Sequence, residues 1–421
     1  MEEMPLVLPE SKEKICKSLV QETPCFCYFE EDILKNLEKL KSFEAPFGLT
    51  VRYAMKTNSN LALLQLFDSN GFHIDASSVF ECYRAMAANI RAEKILLTSQ
   101  DSPSKEELQD LVEKGVLFNA TSLFQLEEFG KCFPKHKISV RFNVGIGSGW
   151  TKATSTGGLS SSFGIYAQID KIQSLLRKYE LCLERIHIHI GSGSDPEKQK
   201  LVAGKAIELL SIFQDVKIVN LGGGFKVARM KDEKSVDISE ISKGSAKLFR
   251  EFHEKTGRKI HLEIEPGTAS IANEGYIISK IKDIVSTGKE GFTFVKLDTG
   301  MTENARIPMY GAQHPLYHIP IGHEKENPYP YVVVGPCCES GDILSCERGN
   351  SEEIATRTLW EAEIGDLVVV GGAGSYCSSM ACANYNSRPR AAEFLVRKTG
   401  ELVLIRRRQK LEDIYKDDIK I

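Results

Sequence analysis

Short apolar runs alternate with amphipathic stretches from the start of the chain to about residue 265. The apolar runs have the composition of buried strands, and residues at helical spacing follow most of them. The strand-like runs end at 53–56, 72–75, 95–98, 117–119, 140–143, 186–189, 218–221 and 262–265. The helical segments include 62–69, 80–88, 105–114, 123–129 and 204–213. This alternation predicts a parallel sheet, and eight units favour an α/β fold closed into a (β/α)8 TIM barrel over an open, doubly wound sheet.

A polar residue closes nearly every predicted strand. The series is Lys56, Asp75, Thr98, Asn119, Asn143, His189 and Glu265. Any one of them could be an ordinary strand-end cap. In a closed barrel, however, the carboxyl ends of all strands meet at one rim, where active sites lie. The series therefore favours a barrel with a polar site at that rim.

The pattern changes after residue 265. The segments 276–285, 292–297, 331–334, 366–370, 394–396 and 402–405 are rich in β-branched and aromatic residues. Gly, Pro and Asn separate them, which predicts an all-β domain, either a sandwich or a barrel. A strand-like run at 24–30 precedes the helical segment 31–43 and is expected to join that domain. The predicted domains are an N-terminal segment 1–30, a barrel 31–275 and a C-terminal β domain 276–421. Loops 145–162 and 313–328 are long enough to suggest function.

Charge and composition exclude several classes of protein. The chain of 421 residues has 54 basic and 57 acidic residues, a net charge of −3. That balance argues against a nucleic-acid partner. No apolar run is long enough to cross a bilayer, and the acidic start lacks the order of a secretory signal. We therefore expect a cytoplasmic protein with no membrane partner.

The eleven cysteines are scattered without regular spacing, which does not indicate a disulfide framework. Cys25 and Cys27 would point to one face of a strand. A metal site would need a second pair at ligand spacing, and the sequence has none. Free thiols, mostly buried, and no bound metal are the prediction, in keeping with a reducing compartment.

Lys56 is the first candidate for chemistry, because it directly follows the apolar run 51–55. Most lysines are solvated, but a lysine at a strand end next to buried residues is expected to be partly desolvated. Desolvation lowers the pKa of an amine and makes it a nucleophile. Lys56 is thus a candidate for covalent attachment to an aldehyde.

Two further motifs flank the predicted rim. Gly222, Gly223 and Gly224 follow the seventh strand, and Glu265-Pro266-Gly267 ends the eighth. A glycine run is often only a tight turn, but the loops after strands seven and eight of barrels frequently bind phosphate. A lysine, a phosphate loop and a buried carboxylate together suit pyridoxal 5'-phosphate (PLP), whose pyridine nitrogen needs an anionic partner. His189 would lie near the ring, although a satisfied core histidine is the alternative.

The motifs become specific when taken in order. They are Tyr-Ala-Met-Lys at 53–56, His-Ile-His-Ile-Gly-Ser-Gly at 187–193, the glycines 222–224, Glu-Pro-Gly at 265–267, Arg-Ile-Pro-Met-Tyr-Gly at 306–311, Cys-Glu-Ser-Gly-Asp at 338–342 and Asn-Tyr-Asn-Ser-Arg-Pro at 384–389. From about Cys25 to the C-terminus, the chain resembles the fold-type III PLP-dependent decarboxylases, and the diaminopimelate decarboxylases in particular. The resemblance implies a barrel, a β domain and a head-to-tail homodimer with active sites at its interface.

The resemblance also implies roles for individual residues. Lys56 matches the lysine that bonds the cofactor, His189 the residue stacked on its ring, and Glu265 the partner of the pyridine nitrogen. The remaining cofactor contacts implied are Ser192, Gly222, Gly223, Gly224, Gly267 and Tyr376.

The resemblance assigns the substrate to Arg306, Tyr310, Glu339 and Tyr376. Arg306 would face a carboxylate, although a structural ion pair with Asp298 or Glu303 is the alternative. Cys338 and Glu339 match residues that enter the neighbouring subunit's site, where the thiol takes part in protonation. Tyr376 is spaced differently from the family's Gly-Ala-Tyr.

Two departures concern the substrate. Thr268 stands where the family usually has an arginine, and Ser162 stands where it usually has a lysine. The expected reaction is decarboxylation of meso-diaminopimelate to L-lysine and CO2, a step of lysine biosynthesis. A related basic amino acid (lysine or ornithine) or carboxynorspermidine is the alternative. A catalytically silent regulatory relative is the alternative from another class. A racemase of similar architecture is disfavoured by the motif at 338–342.

Overall fold

The computed structural model describes residues 4–149, 156–193 and 195–421. The chain forms two compact units. One comprises Leu34–Val227 and Lys234–Ser270, and the other comprises Met1–Ile33, Ala228–Glu233 and Ile271–Ile421. The short segment Ala228–Glu233 thus belongs with the C-terminal unit. The domains 1–30, 31–275 and 276–421 stay a prediction, because compactness does not test independent folding.

The first elements are helix α1, Glu10–Ser18, strand β1, Cys25–Phe29, and helix α2, Glu30–Lys41. The strands that follow are β2 Leu49–Ala54, β3 His73–Ala76, β4 Ile95–Leu97, β5 Leu117–Ala120, β6 Lys137–Asn143, β7 Ile165–Tyr166, β8 Cys182–His187, β9 Ile218–Asn220 and β10 His261–Ile264. The helices among them are α3 Leu61–Ser69, α4 Val79–Ala87, α5 Lys105–Glu113, α6 Leu123–Cys132, α7 Ile169–Lys178, α8 Pro196–Ile212 and α9 Ile238–Thr256, and α10 Thr268–Ile271 follows β10.

Eight of these strands close into a ring, in the order β5-β4-β3-β2-β10-β9-β8-β6, with β6 pairing back to β5. Every pairing around the ring is parallel. The short β7 pairs with β6 outside the ring. The predicted (β/α)8 barrel is confirmed.

Most helices of the barrel unit are preceded by a polar residue whose side chain accepts a hydrogen bond from a backbone N–H of the first turn. The capping residues are Asn60, Ser78, Ser104, Ser122, Asp195 and Asp237. Each cap satisfies a backbone N–H that has no partner within the helix. Ser104 and Glu107 form a complete capping box. These local signals explain why the chain turns from strand to helix where it does.

Some predicted boundaries were wrong. Strand β8 ends at His187, whose register partner Asn220 is the last residue of β9, so His189 lies beyond the strand. Helix α8 begins at Pro196, well before the predicted start at 204. The predicted loop 313–328 contains a strand, Leu316–Ile319. In the predicted loop 145–162, residues 150–155 lie outside the described part of the chain.

The C-terminal unit is built mainly from strands. They are β11 Gly275–Ser286, β12 Thr293–Leu297, β13 Leu316–Ile319, β14 Pro328–Val334, β15 Cys346–Glu347, β16 Asn350–Ile354, β17 Arg357–Trp360, β18 Leu367–Val370, β19 Ala392–Val396 and β20 Leu402–Arg406, with helices α11 Arg306–Tyr310 and α12 Leu411–Tyr415. Nine strands form one mixed sheet in the order β17-β14-β12-β11-β1-β19-β20, with β18 pairing β11 and β13. Strand β1 pairs antiparallel with β11 and parallel with β19. Within the described residues, no helix has the length and apolar character needed to cross a membrane.

The interior of the barrel is polar, unlike the branched apolar core usual in this fold. Glu263 on β10 receives two hydrogen bonds from Arg52 on β2, at 3.0 and 2.9 Å, and two from Arg185 on β8, at 2.9 and 3.2 Å. The side chains of Arg52 and Glu263 are each 2% exposed. Burial alone would raise the pKa of Glu263, but the two guanidiniums outweigh it and hold that pKa at about 2. Three strands of the ring are therefore joined by one buried ionic cluster.

Replacing Glu263 with Gln should destabilise the protein strongly. The change leaves two buried guanidiniums without their carboxylate, and removing one partner of a buried ion pair costs about 3–5 kcal/mol. Urea unfolding measures the loss. The matched control is Glu254→Gln on an exposed turn of α9, which should change stability by less than about 0.5 kcal/mol. Equal stability of both variants would contradict the assigned role of the cluster.

The Glu263→Gln variant also tests how the stability of the protein depends on pH. The pKa of Glu263 lies below its unfolded value of about 4.3, so its contribution is complete above that pH and is lost as pH falls towards about 2. The wild-type protein should therefore lose more stability than Glu263→Gln over this acid range. Parallel pH profiles would show that Glu263 titrates alike in the folded and unfolded chains.

Candidate active site

Glu265 occupies the barrel rim immediately after β10 and is held by the ends of two neighbouring strands. His187 Nε2 lies 2.9 Å from its Oε2, and Asn220 Nδ2 donates to its Oε1 at 2.7 Å. Asn220 Nδ2 also donates to Glu263 Oε2 at 3.3 Å, which links the rim to the cluster beneath it. Burial favours the neutral acid, but His187, His189 and Lys56 outweigh it and lower the pKa of Glu265. The carboxylate is thus ionised and fixed in position.

Lys56 lies in a single 3-10 turn, Met55–Thr57, that follows β2. Its side chain is exposed, whereas the neighbouring Met55 and Thr57 are buried. The expected partial burial of Lys56 is therefore wrong, because the turn carries its side chain past the strand end. Its ammonium acts electrostatically on Glu265 and His189, so the structure brings these three predicted residues together.

Two acidic side chains, Asp75 and Glu81, interact electrostatically with Lys56. Asp75 ends β3, is 4% exposed, and its Oδ1 has no hydrogen-bond partner among the described residues. Burial and the nearby Glu265 raise the pKa of Asp75, and Lys56 opposes them. Burial also raises the pKa of Glu81, whose Oε2 accepts from the Ser77 N–H at 2.6 Å. Sequence reasoning placed Asp75 at the rim but missed this role, and it missed Glu81.

The glycine loop after β9 contacts His189 through its backbone. The Gly223 N–H donates to His189 Nδ1 at 3.1 Å, so the ring's proton is on Nε2. Burial, then Arg141 and Lys56, lower the pKa of His189 well below its usual value. A Cβ on Gly222, whose φ is +68°, would lie 2.6 Å from His189 Nδ1, and one on Gly223 would overlap the Glu265 carbonyl. Only glycines allow the loop to lie this close.

Ser192 and Gly224 are adjacent parts of the same cradle. The Gly193 N–H donates to the Gly224 carbonyl at 2.9 Å, which joins the loop after β8 to the loop after β9. Ser192 Oγ is buried and has no partner in the described part of the chain. A Cβ on Gly267 would meet the Thr57 side chain, next to Lys56. The rim thus combines a close-packed glycine backbone with an unsatisfied hydroxyl.

Arg306 begins helix α11 of the C-terminal unit, and His314 orients it. His314 Nδ1 lies 2.8 Å from the Gly371 carbonyl and its Nε2 lies 3.1 Å from Arg306 Nη1. A carbonyl only accepts, so Nδ1 carries the proton and Nε2 accepts from the guanidinium. Burial and two arginines lower the pKa of His314 well below its usual value. Within the described residues, neither Asp298 nor Glu303 forms an ion pair with Arg306.

Tyr310, Cys338, Glu339 and Tyr376 also belong to the C-terminal unit. Tyr310 ends α11, four residues before His314, a residue that sequence reasoning missed. Cys338 and Glu339 are exposed; the Cys338 N–H donates to Asn386 at 2.8 Å, and Glu339 accepts from the Gly341 N–H at 3.2 Å. Tyr376 has a φ of +56°.

Comparison with known proteins gives the family. A family model described as the pyridoxal binding domain of pyridoxal-dependent decarboxylases matches residues 32–272. The chain belongs to this family. It is a PLP-dependent carboxy-lyase, and the resemblance found in its sequence is confirmed.

Individual relatives cover nearly the whole decarboxylase chain. Diaminopimelate decarboxylase of Escherichia coli K12 is 33% identical over 401 residues, covering 93% of this chain and 92% of the relative. That of Streptomyces coelicolor is 31% identical, covering 94% and 90%. A crystal structure of a diaminopimelate decarboxylase matches with a TM-score of 0.88 at 30% identity, covering 96% of both chains. The Helicobacter pylori enzyme in complex with L-lysine matches with a TM-score of 0.83 at 26% identity, covering 96% and 98%.

The rim residues of this decarboxylase fit PLP. The buried Ser192 Oγ, which has no partner among the described residues, offers a donor for a phosphate beside the close-packed glycine backbone. The ionised Glu265 suits a protonated pyridine nitrogen. Lys56 presents an exposed amine beside both. These three features are independent of one another, and each matches a different part of the cofactor.

Gly223→Ala should weaken PLP binding. The new Cβ would overlap the Glu265 carbonyl, and relieving such a clash costs about 1–3 kcal/mol, or about thirtyfold in affinity at the centre of that range. Titration of cofactor-free protein with PLP, followed by absorbance, measures the change. Gly204→Ala is the matched control, because its Cβ on helix α8 meets nothing within 4 Å. An unchanged dissociation constant for Gly223→Ala would contradict the close packing of the loop.

Proposed function

We propose that the protein decarboxylates meso-diaminopimelate to L-lysine and CO2. The full-length relatives named above are diaminopimelate decarboxylases, and one feature of the chain supports the same substrate. The observation that carries the proposal is Arg306. A neutral histidine orients its guanidinium, and no acidic partner occupies it among the described residues. Such a group suits the second carboxylate that diaminopimelate has and that simple basic amino acids lack.

The barrel residues have separate tasks in this proposal. Lys56 anchors PLP covalently, and Gly222, Gly223, Gly224, Ser192 and Gly267 contact the cofactor. Glu265 keeps the pyridine nitrogen protonated, and His189 lies against the ring. When bound, PLP accepts the electron pair that departing CO2 leaves behind.

The C-terminal unit supplies the substrate contacts. Arg306 and Tyr310 bind the carboxylate remote from the reacting carbon, and Tyr376 contacts both cofactor and substrate. Cys338 is the group that takes part in protonation, and Glu339 holds the far end of the substrate. The exposure of Cys338 and Glu339 supports a role in a neighbouring subunit, so the proposal includes a homodimer with shared active sites.

A second substrate class has one observation in its favour. Thr268 cannot supply the bidentate cation that an arginine provides, and its presence favours lysine or ornithine, which lack the second carboxylate. Location in the cytosol is also part of the proposal. Its support is that the eleven cysteines are free thiols.

The test is CO2 release and product chromatography with meso-diaminopimelate, lysine, ornithine and carboxynorspermidine. Turnover of diaminopimelate to L-lysine should exceed that of the other substrates. Lys56→Ala is the matched negative variant and should lose the visible, borohydride-reducible absorbance together with turnover. Preference for lysine or ornithine would replace the proposed substrate, and absence of turnover with intact absorbance would support the regulatory alternative. Retained absorbance in Lys56→Ala would mean that another lysine is the anchor.

Mixing two inactive variants should restore activity if the site is shared. In a mixed dimer of Lys56→Ala and Cys338→Ala, one site has both intact residues and the other has both changes. Random pairing makes about half the dimers mixed, each with one good site of two, so about a quarter of wild-type activity is expected. Activity assays after subunit exchange measure it. No recovery, with exchange demonstrated by differently tagged chains, would place both residues in a site built by one chain.

A further inference from the structure

Arg229 is a second arginine in the C-terminal unit with no carboxylate bound to its side chain among the described residues. It lies in the segment Ala228–Glu233, which belongs to the C-terminal unit although the residues on either side of it in sequence belong to the barrel unit. Its Nε donates to the Gly372 carbonyl at 3.0 Å, and its Nη2 donates to Ser375 Oγ at 2.9 Å. Glu233 accepts from the backbone N–H of Arg229, not from the guanidinium. The guanidinium therefore keeps a face for another partner.

Arg229 and Arg306 are positioned by the carbonyl groups of two consecutive residues, Gly371 and Gly372. The Gly371 carbonyl accepts from His314, which orients Arg306, and the next carbonyl, that of Gly372, accepts from Arg229. This segment is itself rigidly placed, since the Ala373 N–H donates to the Gly275 carbonyl at 2.8 Å. A Cβ on Gly372, where φ is +64°, would lie 2.9 Å from Arg229 Cδ. The spacing of the two guanidiniums is thus set by the backbone.

Two neighbouring cations repel each other, and the surroundings only partly offset this. Burial and the charge of Arg306 lower the pKa of Arg229 to about 9, against weaker opposing effects of Cys377, Glu233 and Glu274. His314, between the carbonyl and Arg306, is neutral and adds no anion. A bound anion would relieve the repulsion, because like charges brought close in a partly buried site cost free energy. Paired guanidiniums are suited to one carboxylate.

The segment that carries Arg229 packs beside the chain that follows Thr268. Asn273 Nδ2 donates to the Ala228 carbonyl at 2.9 Å. Asn273 lies five residues after Thr268 in the sequence, and Ala228 immediately precedes Arg229. The resemblance to the family implies an arginine at 268 that helps at the cofactor phosphate and at the substrate's distal group, and this chain has Thr268 there.

We propose that Arg229 and Arg306 together bind the carboxylate of the substrate that is remote from the reacting carbon. Arg229 supplies the cation that Thr268 does not. The inference rests on the proposed function, since it requires a substrate with a second carboxylate. It makes Arg229 a specificity-determining residue and reconciles Thr268 with diaminopimelate as substrate.

The experiment compares two inhibitors that differ only in this carboxylate. L-lysine retains it, and 1,5-diaminopentane lacks it. In the holoenzyme with Arg229→Met, the inhibition constant of L-lysine and the KM of diaminopimelate should rise by at least about tenfold, as expected for losing a charged hydrogen bond from a buried site. The inhibition constant of 1,5-diaminopentane should change by less than about twofold.

Three further variants sharpen the result. Arg348→Met is the matched control, because Arg348 is exposed and pairs with Asp232 at 2.8 Å, and it should leave both constants unchanged. Arg229→Lys keeps the charge without the planar fork and should raise the L-lysine constant less than Arg229→Met does. It also serves as the test if Arg229→Met does not fold. The double variant Arg229→Met, Arg306→Met should lose less than the product of the single effects, because both side chains bind one group.

The outcomes separate the two proposals. If wild type does not decarboxylate diaminopimelate, the proposed function fails. If wild type is active but Arg229→Met weakens L-lysine and 1,5-diaminopentane equally, or leaves both unchanged, only the role of Arg229 is overturned. Independent effects of Arg229 and Arg306 in the double variant would likewise show that they do not bind the same carboxylate.

Discussion

The buried ionic cluster of Arg52, Arg185 and Glu263 is the interaction that most constrains the barrel. It joins β2, β8 and β10 through four hydrogen bonds in a place where this fold usually has apolar side chains. Three ions buried together are tolerated because each has partners with good geometry. Without Glu263, two buried guanidiniums would lack their carboxylate. The cluster is therefore a condition for closing this ring with these residues.

This ionic cluster also affects the chemistry of the rim, because hydrogen bonds connect it to Glu265. Asn220 bonds both Glu263 and Glu265, and His187 holds the other oxygen of Glu265. The environment separates two nearby carboxyl groups, since the pKa of Glu265 is lowered and that of Asp75 is raised. Such a separation lets one acid remain ionised while its neighbour can carry a proton.

The C-terminal unit positions Arg229 and Arg306 through groups that carry no negative charge. It does so with backbone carbonyls at Gly371 and Gly372 and with a neutral histidine. Carbonyl groups orient a guanidinium without neutralising it, so the charge remains for a ligand.

Periodicity and motifs along the chain were enough to predict the barrel, the β-rich unit and the family. Periodicity is a local property, and the alternation of apolar strands with amphipathic helices is readable without contacts. The motifs around Lys56, His189 and Glu265 indicated the cofactor because each chemical group of PLP requires a particular residue type. Their geometric convergence followed from barrel closure, which places all strand ends at one rim.

The contacts between residues distant in sequence could not be predicted from the chain and are known from the fold. Arg52, Arg185 and Glu263 stand on three separate strands, and nothing in their local sequence specifies that they pair. The same is true of Arg229 and His314, which owe their orientation to carbonyls of a remote segment. The exposure of Lys56 and the end of β8 at His187 depended on a turn and on the length of a neighbouring strand. Long-range pairing is set by the closure of the fold, and a pattern that repeats every two or four residues does not contain it.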